Sequence, residues 1–346
     1  MIGWKPKFND PNVASVRYRC LNPLIELQRR GFQIELFDSE RCNKYSAVIF
    51  SKLYDEQNYQ LAKQLKEKQK TVIFDICDNH LYNPYGTEKF KIVRDQVLRM
   101  LAISDVVITS TETLADTLMQ ETELQTRPVV IDDAIEEDLF KSGSRKSWPR
   151  RIARNLKFHY LYDRSKVNVL WFGIHGGENA PYGMLDLLNQ RDLMIAAQKI
   201  HPFRLIVASN SRDKFLRHIK PFPFETHYCE WTLADFGHIM LSTDICIIPI
   251  TRNPFTICKS NNRLSLALYA GIPTIADSIP SYSDLSRFCV LDDWERGLST
   301  YLSNPLKVKE HARPAKNYIK ARYSIREIGS QWAEHLAYFN QAAAAE

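Results

Sequence analysis

Short apolar, β-branched runs alternate with helical stretches along most of this chain, and that alternation restricts the fold more than any other feature. In the first half the runs are FQIELF (32–37), SAVIF (46–50), TVIFDI (71–76), DVVITS (105–110) and PVVIDDA (128–134). Helical stretches such as EQNYQLAKQLKEKQ and FKIVRDQVLRMLAIS separate them. The pattern resumes with NVLWFG (168–173), RLIVAS (204–209), ETHYCE (225–230), ICIIPI (245–250), PTIAD (273–277) and FCVLD (288–292). Strands that are apolar on both faces belong to parallel sheets covered by helices on both sides. A chain of 346 residues exceeds the usual size of one hydrophobic core. The two series therefore predict two doubly wound α/β domains, with a central cleft facing the carboxyl ends of both sheets.

The boundaries read from this pattern are 1–140 for an N-terminal domain, 141–166 for a basic linker and 167–322 for a C-terminal domain. Residues 323–346 contain a closing helix, SIREIGSQWAEHLAYFNQ, that can pack back on the N-terminal domain. The net charge is +6, but nine Lys or Arg between Lys141 and Lys166 face one acid, Asp163, so the remainder is near −2. Trp148, Ile152, Leu156 and Tyr160 recur every four residues there, with Arg150, Arg151, Arg154 and Lys157 elsewhere around the axis. A basic amphipathic helix over 145–160 fits an anionic membrane surface. A linker packing its apolar stripe on the protein fits equally well. Nucleic acid is disfavoured as a partner, because no nucleic-acid-binding fold or aromatic platform is recognisable.

No apolar run is long enough to span a bilayer, and the start, MIGWKPKFND, lacks the apolar core of a signal peptide. Cytoplasmic residence is the expectation, with peripheral attachment to the inner face of the membrane through the basic segment. The seven cysteines are odd in number, widely spread and without a C-x-x-C pair, which argues against a disulfide framework and a zinc site. Reduced, mostly buried thiols are expected.

Two stretches invite an anionic ligand. The chain has only 12 glycines, yet four fall in GIHGGENAPYG, directly after the first strand of the second series. Glycines there let backbone N–H groups approach a ligand, so Gly173, His175, Gly176 and Gly177 are candidate binding residues. The second stretch is KSNNRLSLALYAGIPTIAD, Lys259 to Asp277. A helix starting near Ser260 to Asn262 would offer free N–H groups and a positive dipole end. Lys259 and Arg263, four apart, would flank an anion at that end, and Asn261 or Asn262 would cap the helix. Gly271 would end it.

In the first half, DICDNHLYNP holds Asp75, Asp78 and His80 at the end of a strand. Asp78 or His80 would supply a general base for an acceptor hydroxyl. SVRYRC (15–20) offers Arg17 and Arg19, which would either bind an anionic acceptor such as a lipid phosphate or sit solvated at a helix start. No D-x-D motif or clustered His/Cys set is visible, so a metal is not expected; Lys and Arg at a helix end can neutralise a leaving diphosphate instead.

The run K-S-N-N-R-L-x-x-A-L-x-A-G-I-P-T-I-A-D, preceded by YCEWTLADFGHIMLSTDICIIPI, resembles the donor-binding half of GT-B glycosyltransferases. The resemblance is to their large retaining group of bacterial lipopolysaccharide and capsule enzymes. It covers 168–292 and extends loosely into the first half. It implies two Rossmann-like domains, a nucleotide-sugar donor and a glycan, lipid-linked or other hydroxyl acceptor. It further implies that Lys259 and Arg263 bind the donor diphosphate and that the Gly173–Gly177 loop is near the phosphates or the acceptor; Ser260, Asn261 and Asn262 are counted with the donor set. Ser209 and Trp231, at or just past the ends of the next two runs, are counted with this donor set. The family pattern carries two glutamates eight apart; the matching positions here are Cys258 and Leu266. The expected activity is metal-independent glycosyl transfer in polysaccharide biosynthesis. The alternatives are a non-catalytic nucleotide-sugar or glycan-binding protein and a nucleotide-sugar epimerase of the same fold.

Overall fold

The computed structural model describes residues 1–140, 157–163, 165–176 and 182–341. The chain divides into two compact units. The first comprises Met1–Ile135, Arg252–Ser260 and Arg322–Glu346, and the second Glu136–Thr251 and Asn261–Ala321. Residues 252–260, expected within the C-terminal domain, thus belong with the first sheet. Cys258 explains why, being fully buried in that unit's core and accepting a hydrogen bond from Thr111 Oγ1 through its carbonyl, at 3.0 Å.

The first unit contains six parallel strands: β1 (Ile2–Pro6), β2 (Ile34–Leu36), β3 (Ala47–Ser51), β4 (Thr71–Ile76), β5 (Val106–Thr109) and β6 (Val129–Val130). Their order is β2-β1-β3-β4-β5-β6, with Ile2 opposite both Ile34 and Ala47. Strand β1 has no counterpart in the apolar runs. Its sequence, IGWKP, carries only Ile2 and Trp4 as large apolar residues, and these alternate. Along β3, Val48 and Phe50 enter one core cluster while Ala47 and Ile49 enter another. Both faces are therefore covered, as a parallel sheet requires.

Helices α1 (Asn22–Arg29), α2 (Glu56–Glu67), α3 (Glu88–Ile103) and α4 (Glu112–Glu121) cover the sheet. Asp55 and Thr111 start α2 and α4 by accepting the N–H of Asn58 and Leu114, satisfying orphan donors of the first turn. The run 128–134 forms only a two-residue strand. The chain beyond it stays buried, and Asp133 turns to Arg19.

The second unit repeats the plan with β7 (Val167–Phe172), β8 (Phe203–Ser209), β9 (Thr226–Glu230), β10 (Ile245–Ile248), β11 (Thr274–Ala276) and β12 (Val290–Leu291), in the order β12-β11-β10-β7-β8-β9. Around it run α5 (Arg191–Ile200), α6 (Arg212–His218), α7 (Leu233–Leu241), α8 (Asn262–Tyr269) and α9 (Trp294–Ser303). Ser211, Thr232 and Asp293 cap α6, α7 and α9. Its core includes Val169, Trp171, Leu205, Val207, Ile245 and Ile247.

Two further helices follow, α10 (Pro305–Tyr323) and α11 (Ile325–Gln341). The latter packs on α1, where Arg30 Nη1 donates to Ser330 Oγ at 3.0 Å, and on β1, where Trp332 meets Trp4 with ring centroids 4.7 Å apart. Among the described residues, no helix is long and apolar enough to cross a membrane.

Candidate functional site

In an open doubly wound sheet, ligands bind beyond the carboxyl ends of the strands, where the strand order reverses. In the second unit that point lies between β7 and β10, which pair directly although β8 and β9 intervene in sequence. Several donor candidates gather there. Gly173 follows β7, and its N–H donates to Ala208 O at 3.1 Å while Ser209 Oγ donates to its carbonyl at 2.8 Å. Arg263, half-buried in the first turn of α8, lies against this glycine. A Cβ added at Gly173 would come 3.4 Å from Arg263 Nη1. Arg263 also acts on the Tyr282 hydroxyl, lowering its pKa, while burial pushes that hydroxyl up to about 12.

Beyond Gly173 the loop is fixed from outside. Lys214 Nζ donates to the carbonyls of His175 and Gly176 at 3.1 and 2.9 Å, and the His175 N–H donates to Asn210 Oδ1 at 3.1 Å. His175 is lowered by burial and by Lys214, and its Nδ1 has no hydrogen-bond partner. Gly177 lies outside the described residues.

Asp186 closes the arrangement. One of its oxygens accepts the Gly183 N–H at 2.8 Å, and the other accepts Thr251 Oγ1 at 2.6 Å, just past β10. Burial raises its carboxyl, against the pull of these hydrogen bonds. Asp186, Thr251, Lys214 and Tyr282 escaped the sequence reading. The legible signal was Gly183 with an acid three residues on, a pattern of a capped turn.

Other donor candidates are engaged differently. Helix α8 begins at Asn262, so Lys259 and Ser260 precede it and the four-residue spacing to Arg263 is not helical. Lys259 and Ser260 belong to the first unit, where Ser260 Oγ donates to Asp133 Oδ2 at 2.6 Å. Asn261 occupies the cap position without a side-chain cap; its Oδ1 accepts Ser265 Oγ at 3.2 Å. Asn262 is the first residue of α8. Trp231 follows β9, its N–H donating to Ser209 O at 2.8 Å and its ring 5.7 Å from Phe236.

The first unit has its own reversal point, between β1 and β3. Lys5 and Lys7 lie at the end of β1, Lys52 follows β3, and Asp78 with His80 follows β4. Lys52 Nζ donates to Asp78 Oδ2 and Lys259 Nζ to Oδ1. Burial opposes the charge of Asp78, yet Lys259 and then Lys52 outweigh it and hold the carboxyl well below the usual range. His80 Nε2 lies 3.9 Å from Asp78 Oδ2 and has no hydrogen-bond partner. Burial lowers His80 to about 4; Asp78 acts the other way, and Lys52 and Lys259 reinforce the fall. Lys259 and Lys52 thus hold Asp78 deprotonated, whereas burial first, and then the same ammoniums, keeps the His80 imidazole neutral.

The arginines of SVRYRC, the candidates for an anionic acceptor, are both buried. Arg19 is 1% exposed and paired with Asp75 and Asp133. Arg17 is 4% exposed, its Nη1 donating to Pro11 O at 2.7 Å. Both lie in a π-helical turn, Arg17–Leu21, that directs them inward. Cys258 and Leu266, at the positions of the family's glutamates, are 0% and 2% exposed. Of the basic segment, 141–156 and Arg164 lie outside the described residues. At its described end, Tyr160 stacks on His227 at 3.9 Å and meets Cys229 Sγ at 3.0 Å. Among the described residues, no group of three or more His, Cys, Asp or Glu is placed to hold a metal ion.

No family model matches the chain, and no curated protein matches it in sequence. Solved structures do match in fold. TarM of S. aureus, crystallised with fondaparinux, α-GlcNAc-glycerol and UDP, aligns over 87% of this chain at TM-score 0.62 and 14% identity; the alignment spans 57% of TarM. UDP-GlcNAc 2-epimerase of Neisseria meningitidis, bound to UDP-GlcNAc, aligns over 98% of this chain and 100% of its own, at 0.61 and 14%. A glycosyltransferase of Rickettsia africae aligns over 98% and 97%, at 0.61 and 12%. The chain therefore has the GT-B fold, two Rossmann-like α/β units of the glycosyltransferase kind.

Proposed function

We propose that this protein is a GT-B glycosyltransferase that moves a sugar from a nucleotide-sugar, held by the second unit, to a hydroxyl acceptor. The observation that carries the reading is Arg263 lying against the Gly173 backbone, at the reversal point of a sheet with dinucleotide-binding strand order. A guanidinium there, beside the first turn of α8, offers charge and forked donors to a diphosphate. The same charge can stabilise the leaving nucleoside diphosphate, so the transfer is proposed to be metal-independent. TarM and the epimerase were crystallised with UDP and UDP-GlcNAc respectively, which favours a uridine nucleotide among the candidates.

The test is a thermal-shift panel of UDP, GDP, ADP, TDP and CMP on wild type and Arg263→Ala, with EDTA present. A diphosphate at a hundred times its dissociation constant adds about 2.7 kcal/mol of stability. The expected result is a shift with one diphosphate that Arg263→Ala abolishes. No shift with any of them overturns the reading.

A second reading, nucleotide-sugar epimerisation, is favoured by the full-length alignment with the epimerase. Product analysis separates the two. Transfer releases nucleoside diphosphate in proportion to acceptor, whereas epimerisation converts the nucleotide-sugar with no acceptor present.

A further inference from the structure

At the reversal point of the first sheet, Lys52 and Lys259 act on Asp78, Lys5 acts on Asp55, and Lys7 acts on both carboxylates. The nearby Asp75 is already taken by Arg19. With Arg19 shared by Asp75 and Asp133, five cations stand against four carboxylates, a small local surplus of positive charge. Lys259 and Lys52 share Asp78, and Lys5 Nζ donates to the Asn58 amide oxygen. Lys7 makes no ion pair among the described residues. Its Nζ lies 5.8 Å from the Phe8 ring centre and 5.4 Å from that of Tyr54. Partial desolvation of its ammonium and the neighbouring Lys52 lower Lys7, while Asp55 and Asp78 pull the other way.

Lys52 is also held in an unusual backbone state. Its φ of 57° is left-handed, a conformation a side chain other than Gly, Asn or Asp rarely adopts. Its N–H donates to Asp75 O at 2.9 Å, and its side chain is only 18% exposed. A strained, nearly buried lysine persists where the surroundings over-determine it, commonly at ligand-binding positions.

We infer that Lys7, Lys52 and Lys259 form a phosphate-binding site at the carboxyl edge of the first sheet, and that the acceptor carries the phosphate group. Describing the ligand as an acceptor rests on the glycosyl-transfer reading; the anion site itself does not. Lysines act on phosphate as adjustable point charges. The unpartnered His80 Nε2 lies beside the same cations. A dianion bound among the lysines would offset them and bring the imidazole nearer to service as a base for an acceptor hydroxyl.

The probes are inorganic phosphate, sulfate, and glycerol phosphate against glycerol, each titrated at constant ionic strength by calorimetry. They are run on wild type, Lys7→Gln, Lys52→Asn and Arg263→Ala, with UDP in parallel. Lys7 is exposed and its variant should fold normally; Asn tolerates the left-handed backbone of residue 52. Phosphate and glycerol phosphate should bind wild type, glycerol should not, and each lysine variant should weaken binding at least tenfold while leaving UDP affinity within twofold. UDP binding without phosphate binding overturns this inference and leaves the transfer reading standing. Phosphate binding without UDP binding upholds the anion site and removes the transfer reading. Phosphate binding lost only in Arg263→Ala, or matched by sulfate and indifferent to the lysines, overturns the inference.

Discussion

Arg19 places Nε and Nη2 on a single oxygen of Asp75, at 3.0 and 2.6 Å, with both side chains sealed from solvent. Ser51 Oγ donates to the other oxygen at 2.8 Å, and the guanidinium carbon lies 5.3 Å from the Trp332 ring centre. This one ion pair joins the π turn, β3, β4 and α11 within the first unit. Its partners use up the arginine, so it has no donor to spare for an acceptor.

Breaking this pair should be among the costliest single changes in the protein. Removing one partner leaves a buried charge uncompensated, at about 3–5 kcal/mol. Arg19→Met is expected to lower stability by that amount in urea unfolding followed by circular dichroism. A loss under about 1 kcal/mol would mean that water reaches Asp75.

His80 should give stability a pH slope of its own. Its folded value, about 4, lies below the unfolded value of about 6.5. The unfolded chain therefore binds the extra proton first, and stability present above pH 6.5 is lost as pH falls toward 4. Between pH 7 and 5 the loss is on the order of 2 kcal/mol, and His80→Gln should flatten it. Asp78 acts in a separate window. Its depressed carboxyl contributes stability that is lost only below about pH 4, where the unfolded aspartate protonates. Equal slopes for wild type and His80→Gln would contradict the assignment.

Gly183 and Gly31 should separate backbone strain from crowding. Both have positive φ, 105° and 86°. A Cβ at Gly31 meets nothing within 4 Å, whereas one at Gly183 would lie 2.5 Å from Ile174 O. Gly31→Ala should cost about 1–2 kcal/mol from conformation alone. Gly183→Ala should cost more and should also weaken nucleotide binding, because it displaces the loop that begins at Gly173. Equal stability losses, with nucleotide affinity intact, would remove Gly183 from the site.

The thiols provide a direct check on burial. All seven cysteines are free, and burial raises the thiols of Cys20, Cys77, Cys229, Cys246, Cys258 and Cys289. Thiolate is the reacting species. Native protein treated with Ellman's reagent at pH 8 should show one fast thiol, Cys42, lost in Cys42→Ser, and seven after denaturation. More than one fast thiol would show that this packing opens in solution.

The apolar runs alone determined that the chain forms two parallel sheets wrapped by helices, because strands without a polar face have no other stable arrangement. They also located the ends of β4 and β7, and with them Asp78 and Gly173, since ligand-facing residues follow strands directly. Strand β1 was hidden, because IGWKP offers two alternating apolar residues and no run. The spacing of Lys259 and Arg263 was visible, but not the helix boundary between them or that each belongs to a different unit. Arg19 looked solvent-facing because sequence gives no sign of the π turn that directs it inward onto Asp75, 56 positions away. Local periodicity reports which residues are apolar, and so fixes the elements. Which charges meet depends on chain segments brought together from far apart, and only the tertiary structure decided that Asp78 would be shared by Lys52 and Lys259.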